Sequence, residues 1–157
     1  MRSRTTEPGD PWALVLRMLN RRDYSIVELR RRLQQRQVSP GQIERVVQRC
    51  LELGYLDDAR YATQRARSLM RQNRAVGPRI LRDLKQRGID QVTAQAALEE
   101  ARQEQSDADV LDELIERRFF QFDYATADER EKRRVIHFLQ RRGFALHQIL
   151  EKLTEKG

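Results

Sequence analysis

The chain has 157 residues, of which 35% are charged and 39% hydrophobic, and its formal net charge is +7. A single cysteine excludes an internal disulfide framework, and no apolar run approaches the roughly 20 residues that a membrane helix needs. We therefore expect a cytoplasmic protein without a membrane segment, attracted to polyanions, whose residues 1–10 form a flexible polar N-terminus.

Residues 11–56 are predicted to form three short helices. The first begins at a capping aspartate followed by proline, which suits a first helical position. Ser25 caps the second, and with Glu28 it forms the Ser-x-x-Glu pattern of a capping box. A second cap-plus-proline pair opens the third helix, whose apolar stripe places Cys50 in the core rather than at a reactive site.

The same three-helix layout is predicted for residues 57–105 and again for residues 106–157. Asp57 and Asp58 are expected to cap the first helix of the second unit rather than to hold a metal ion. In the third unit, an aromatic cluster is expected to fill the junction after the first helix. Its members are Phe119, Phe120, Phe122 and Tyr124. No alternating apolar run and no Asn-Gly or Asp-Gly turn occurs, so no sheet is predicted.

One short helix, in residues 77–89, is the template of an internal repeat. Its apolar and arginine positions recur 51 residues earlier and 55 residues later. They are Ile80, Leu84, Arg87 and Ile89, matched by Leu29, Leu33, Arg36 and Val38 and by Val135, Leu139, Arg142 and Phe144. Gly88, which suits a left-handed helix end, recurs as Gly143 but is replaced by Gln37, so we expect the first copy to close in some other way. The sequence thus predicts an all-α, elongated and curved array of three tandem three-helix repeats.

Positive charge is concentrated in the first two units. Residues 1–56 carry 11 basic and 6 acidic side chains, residues 57–105 carry 10 and 7, and residues 106–157 carry 10 and 11. Residues 60–88 alone hold nine basic side chains against one acid, which predicts binding to nucleic-acid phosphates or to an acidic protein surface. The predicted site residues are Arg60, Arg65, Arg67, Arg71, Arg74, Arg79, Arg82 and Lys85. The remaining cation, Arg87, is assigned with Arg36 and Arg142 to the negative ends of helix dipoles.

Two other classes of function are weaker. Three-helix modules often read DNA bases with their third helix, but the third helices here mix acidic with basic residues, so non-specific backbone or protein binding is favoured over sequence-specific recognition. The chain has no phosphate-binding loop, nucleophile elbow or metal-ligand spacing. We therefore expect no catalytic site, no cofactor and no metal.

Two segments together resemble the signature of the RecX family, bacterial regulators of the recombinase RecA. They are Gly54-Tyr55-Leu56-Asp57-Asp58 and Gly77-Pro78-Arg79-Ile80, the latter followed by Leu84 and Arg87-Gly88-Ile89. The resemblance runs from about Trp12 to the C-terminus and is strongest in the second unit. It departs at Gln37 and in a sparsely charged C-terminal helix, which leaves the third unit's part in binding open.

That resemblance implies a non-enzymatic protein, expected to be a monomer, that binds the RecA filament on single-stranded DNA. There it would limit filament extension, ATP hydrolysis, strand exchange and the coprotease activity of RecA, in DNA repair, recombination and the SOS response. Direct and non-specific contact with single-stranded DNA is a further expectation. The alternative is a non-specific DNA-binding helical protein that acts without RecA.

Overall fold

The computed structural model describes residues 9–155. Within that range the chain forms nine helices and no strand, which confirms the all-α fold of three tandem three-helix units. Most of the N-terminus that we predict to be flexible lies outside the described residues. The helices are α1 (Pro11–Arg21), α2 (Ile26–Gln35), α3 (Pro40–Glu52), α4 (Asp58–Arg71), α5 (Gly77–Gln86), α6 (Gln91–Glu104), α7 (Asp107–Arg118), α8 (Glu129–Arg141) and α9 (Leu146–Glu155).

Side-chain caps start most of these helices. Ser25 accepts a hydrogen bond from the backbone N–H of Glu28, as predicted, and so satisfies one unpaired donor of the first turn. The predicted capping box is nevertheless wrong in its second half, because the Glu28 carboxylate turns toward the second unit instead of back to the cap. A reciprocal capping box does form at the start of α7, between Ser106 and Asp109.

The second helix of each unit ends in the same left-handed turn. The residue at the turn has a φ of 62° at Gln37, 83° at Gly88 and 109° at Gly143. In each copy the residue after this turn is buried, and its backbone N–H donates to the backbone carbonyl of the leucine five positions earlier. This hydrogen bond closes the helix. These bonds join Val38 to Leu33, Ile89 to Leu84, and Phe144 to Leu139. Our expectation for Gln37 is therefore wrong: the glutamine adopts the left-handed conformation itself, at a cost of about 1–2 kcal/mol.

The apolar core is divided between the units. The first unit encloses its own cluster, in which Cys50 is fully buried as predicted, and burial raises the pKa of its thiol. The second and third units share one cluster that runs from Tyr61 to Leu153. Hydrophobic packing therefore joins the last two units, whereas the contacts between the first two are largely polar.

Three members of the predicted aromatic cluster, Phe119, Phe122 and Tyr124, are half-buried against the shared core. The fourth, Phe120, is 72% exposed and does not belong to it. The substantial helix packing lies within units or between units that are neighbours in the chain, as in a linear array. In residues 9–155 we find no helix that is both long enough and apolar enough to cross a membrane.

Candidate functional site

Neighbouring units are joined by one recurring hydrogen bond at the end of a second helix. The Ser25 hydroxyl donates to the backbone carbonyl of Arg87 at 2.6 Å, and the Val76 N–H donates to that of Arg142 at 2.9 Å. Ser25 and Val76 occupy equivalent positions of the repeat, as do Arg87 and Arg142. Each bond satisfies a helix-end carbonyl with a donor from the preceding unit. The repeat therefore encodes the junction between units as well as the helices.

The recurring glycine lies in this same junction. A Cβ added at Gly88 would overlap the side chain of Val27, and one added at Gly143 would overlap the carbonyl oxygen of Val76. Glycine is thus needed at both positions for close approach of the preceding unit as well as for its positive φ. In the described part of the chain Gln37 is exposed, so it meets only the conformational requirement and a side chain is tolerated there.

At the first junction, Glu28 is the centre of a polar network. Its carboxylate accepts hydrogen bonds from the Tyr61 hydroxyl at 2.7 Å and from the guanidinium groups of Arg22 and Arg87, both at 2.9 Å. Only 11% of its side chain is exposed. Burial raises the pKa of Glu28, but the three donors outweigh it and hold the pKa below the ordinary value. Burial, together with the neighbouring carboxylate, raises the pKa of Tyr61 to about 12.

The paired aspartates cap two different helices at this junction. Asp57 accepts from the N–H of Arg60 and caps α4, as predicted. Asp58 instead accepts from the N–H of Ile26 at 2.9 Å, and so caps α2 of the preceding unit. Burial raises the pKa of Asp58. The second aspartate therefore acts between units, which spacing along the chain does not reveal.

The helix-end arginines contribute to both junctions. Arg87 pairs with Glu28 and also with Asp83 at 3.0 Å. Arg142 donates to the backbone carbonyls of Asn73 and Arg74, which follow the end of α4. Arg87 and Arg142 thus link elements beyond their own helix end, which the prediction of simple dipole cations did not include.

Three of the eight predicted site residues make polar contacts within the protein: Arg60, Arg65 and Arg67. Arg60 donates to the backbone carbonyl of Gly54 at 3.0 Å. Arg65 forms a two-bond pair with Asp83, at 3.0 and 3.1 Å. These contacts hold α4 against its neighbours and leave less of either guanidinium for an outside ligand.

The third of these residues, Arg67, and a fourth predicted residue, Arg71, face acidic side chains. Arg67 pairs with Glu100 at 3.4 Å and with Glu104 at 2.9 Å. Arg71 is exposed and lines a cleft of about 490 Å³ between α4, α6 and α7, and four acidic side chains also line that cleft. The acids of this cleft are Glu104, Asp109, Asp112 and Glu113. Nearby carboxylates offset the field of Arg71, so it is a weak candidate for anion binding.

The remaining predicted arginines converge on the junction of the second and third units, where the third unit adds arginines of its own. We call this set the arginine cluster: Arg74, Arg79, Arg82, Arg118, Arg141 and Arg142. Arg74, Arg79 and Arg82 line one cleft of about 100 Å³, and Arg79, Arg82 and Arg141 line a second of about 240 Å³. None of the six forms an ion pair with any carboxylate of residues 9–155.

The arginine cluster concentrates positive charge on a partly desolvated surface. Arg118 and Arg142 both lie over the ring of Phe138, at 4.4 and 4.7 Å from its centroid. Burial lowers the pKa of Arg142, and the charges of its arginine neighbours lower it further. A bound anion would relieve this repulsion, and the planar guanidinium fork matches a phosphate or a carboxylate. The eighth predicted residue, Lys85, is exposed and lies in a separate groove beside Arg82.

Sequence reasoning missed Arg118, Arg141 and Arg142 as members of this surface. The third unit's slightly negative charge concealed them, and Arg142 was assigned to a helix end. The available signal was the adjacent pair Arg141-Arg142 just before the repeated glycine. Within residues 9–155, no cluster of His, Cys, Asp and Glu side chains has the arrangement of a metal site.

Comparison with known proteins agrees with the repeat architecture. Family models of the first, second and third three-helix domains of RecX match residues 12–50, 57–98 and 105–153. The chain belongs to the RecX family. This result confirms the resemblance that the motifs around Gly54 and Gly77 suggested.

Curated relatives and solved structures support the same assignment. The regulatory protein RecX of Syntrophotalea carbinolica is 42% identical, over 94% of this chain and 96% of the relative. That of Trichlorobacter lovleyi is 34% identical, over 97% and 98%. A crystal structure of a regulatory protein RecX matches with a TM-score of 0.75 at 18% identity, over 96% of this chain and 72% of that one. The structure of RecX from Lactobacillus salivarius matches with a TM-score of 0.67 at 20% identity, over 90% and 93%. Those RecX relatives are named as regulatory proteins, and at these identities the two structures support the fold alone.

Proposed function

We propose that this protein is a negative regulator of RecA that binds the RecA filament on single-stranded DNA. There it limits filament extension, ATP hydrolysis, strand exchange and coprotease activity. The observation that carries the proposal is the arginine cluster, since a nucleoprotein filament presents phosphates and acidic side chains that guanidinium groups bind well. RecX family membership supplies the partner, and a linear array of units suits a helical filament whose subunits repeat.

In this proposal the protein acts as a cytoplasmic monomer without catalytic activity or cofactor. Its units are residues 11–56, 57–105 and 106–157. Binding across successive RecA subunits would stabilise one arrangement of the filament and hinder its growth. The cluster spans the second and third units, so both would contact the filament.

The test compares two variants that lose the same charge from different surfaces. The cluster variant carries R74A, R79A and R141A, all at exposed positions. The control carries R17A, R32A and R45A, three exposed arginines of the first unit. Each protein is titrated, below the RecA concentration, into RecA on single-stranded DNA while ATP hydrolysis and filament assembly are followed.

We expect the wild-type protein and the control to inhibit alike and the cluster variant to need about tenfold more protein, which corresponds to about 1.4 kcal/mol of lost binding. If the wild-type protein leaves ATP hydrolysis and assembly unchanged, the proposal fails. If the cluster variant inhibits as strongly as the control, the binding surface lies elsewhere.

The second candidate is a non-specific DNA-binding protein that acts without RecA, because the arginine cluster suits free DNA phosphates equally well. Gel shifts on single- and double-stranded DNA across a salt series separate the two. Each neutralised phosphate contributes about −0.7 to −0.9 to the slope of log affinity against log salt. Tight, salt-sensitive DNA binding with no effect on RecA would favour this candidate.

A further inference from the structure

A groove between α5 and α6 of the second unit has an apolar floor and a basic rim. It encloses about 520 Å³ and is lined by Leu81, Ile89 and Ala94, with Arg82 and Lys85 along one side. Ile89 and Ala94 are 4% and 3% exposed, while Leu81 is half-buried. The groove is therefore a narrow apolar cleft that one or two aliphatic side chains of a ligand would fill.

The position of Ala94 in the floor carries a larger side chain in each of the other two units. Ala94 corresponds to Ile43 in the first unit and to Ile149 in the third. In the first unit, moreover, the position of Leu81 is occupied by Arg30, which reaches Glu44 through two hydrogen bonds of 3.0 and 3.1 Å. The cleft between the second and third helices is thus bridged in the first unit and open in the second.

The charges around the groove favour an acidic ligand. Arg82 and Lys85 are exposed, and neither forms an ion pair with a carboxylate in the described part of the chain. The one acid at the groove, Asp90, already accepts hydrogen bonds at 2.8 Å from both the N–H and the hydroxyl of Thr93. The floor carries aliphatic groups and no aromatic ring, so it suits an apolar side chain better than a stacked base.

We propose that this groove is a docking site for an acidic peptide segment of a protein partner, with an aliphatic anchor seated on Leu81, Ile89 and Ala94. Acidic residues beside the anchor pair with Arg82 and Lys85. The inference rests on the proposed function, since it assigns protein contact to the groove and leaves phosphate contact to the arginine cluster. Arg82 lines both surfaces and places them side by side.

The ion pair between Arg30 and Glu44 in the first unit suggests a way to close the groove. The double variant L81R/Q95E transplants the Arg30–Glu44 bridge of the first unit to the equivalent positions of the second. Its net charge is unchanged, and both replaced side chains are at least partly exposed. Because α5 and α6 keep their buried faces, the variant should fold normally, which its circular dichroism and thermal transition check.

The first measurement does not depend on RecA. A short synthetic peptide carries two leucines four positions apart among aspartates and glutamates, and a matched peptide has lysine in place of every acid. We expect the acidic peptide to shift the methyl NMR signals of Leu81, Ile89 and Ala94 in the wild-type protein. The lysine peptide should not shift them, and L81R/Q95E should not respond at Ile89 or Ala94. Absence of any shift with the acidic peptide would overturn the docking site.

The second measurement compares RecA assembled on oligothymidine with oligothymidine alone. We expect L81R/Q95E to bind the filament at least fivefold more weakly than the wild-type protein while binding free oligothymidine equally well. Unchanged filament binding would show that the groove is not the contact. If the peptide binds but the wild-type protein ignores RecA filaments, the groove stands and the proposed function falls.

Discussion

Removing the charge of Glu28 should destabilise the junction between the first two units. We choose Glu28→Gln because the amide keeps the size of the side chain and still accepts the hydrogen bond of Tyr61. It loses the negative charge, however, so that Arg87 donates only to a neutral oxygen and the amide NH₂ group replaces the oxygen that accepts from Arg22. The polar network would then contain two guanidinium groups without their shared carboxylate.

The expected loss follows from the exposure of the partners. A hydrogen bond to a charged group contributes about 1.5–3 kcal/mol when it is shielded from water, and an exposed ion pair about 0–1 kcal/mol. Arg22 is 45% exposed and belongs to the second class, while Arg87 is 29% exposed and closer to the first. Arg87 also keeps its pair with Asp83. We therefore expect Glu28→Gln to lower the free energy of unfolding by about 2–3 kcal/mol.

Urea unfolding followed by circular dichroism measures the loss, and Glu44→Gln is the matched control. Glu44 also pairs with an arginine, but its side chain is 62% exposed, so its replacement should cost less than about 1 kcal/mol. Amide hydrogen exchange should show the extra opening in α2 and at the start of α4. If Glu28→Gln costs no more than Glu44→Gln, the network does not stabilise the junction.

The pH dependence gives an independent check. The folded-state pKa of Glu28 lies below its ordinary value of 4.5, so its contribution is fully present above that pH and is lost as the pH falls through the folded pKa. The difference in stability between the wild-type protein and Glu28→Gln should therefore shrink below about pH 4.5. A constant difference down to strongly acidic pH would contradict the lowered pKa.

Two further predictions concern the left-handed turns. Gly88→Ala should lower the free energy of unfolding by about 2–4 kcal/mol, because the added methyl group clashes with Val27 and the positive φ strains an alanine. The control is Gly54→Ala, which has a similar φ of 75° but open space around it and should cost about 1–2 kcal/mol. Equal losses in urea unfolding would show that the contact between units does not require the glycine. Gln37→Gly should raise the melting temperature, because relief of the left-handed strain adds about 1 kcal/mol to the free energy of unfolding. An unchanged or lower melting temperature would show that the turn is not strained.

The helices could be predicted because their signals are local. A cap, an apolar stripe and a stop lie within a few residues of one another, so the pattern over residues 77–89 predicts α5 and its two copies. The closing turn was harder to predict at Gln37, since the sequence shows a missing glycine but not that a glutamine can take its conformation. The prediction of a capping box at Ser25 is half right, because the Glu28 carboxylate binds partners in another unit. The spacing of residues within the first unit cannot reveal those partners.

For the candidate site, the sequence could predict only a concentration of basic residues. The run of positive charge over residues 60–88 is visible in the sequence, but which arginines are committed to ion pairs depends on where their carboxylates lie in space. Arg65 and Arg67 form ion pairs with acidic residues that are distant in the sequence. Arg74 and Arg79 lie close to arginines of the third unit instead. Helical periodicity alone cannot assign these partners, because they come from other helices.

The sequence by itself determined the helical content, the threefold repeat, the buried face of each helix and the family, since all of these depend on residue spacing within short segments. Only the tertiary structure decided how the units meet. The bond from Ser25 to Arg87, the close contact at Gly88 and the arginine cluster all join residues of different units. The repeated glycine, Gly88 and Gly143, has both a local and a tertiary explanation. The local turn requires its positive φ, and the close contact with the neighbouring unit requires that it have no side chain.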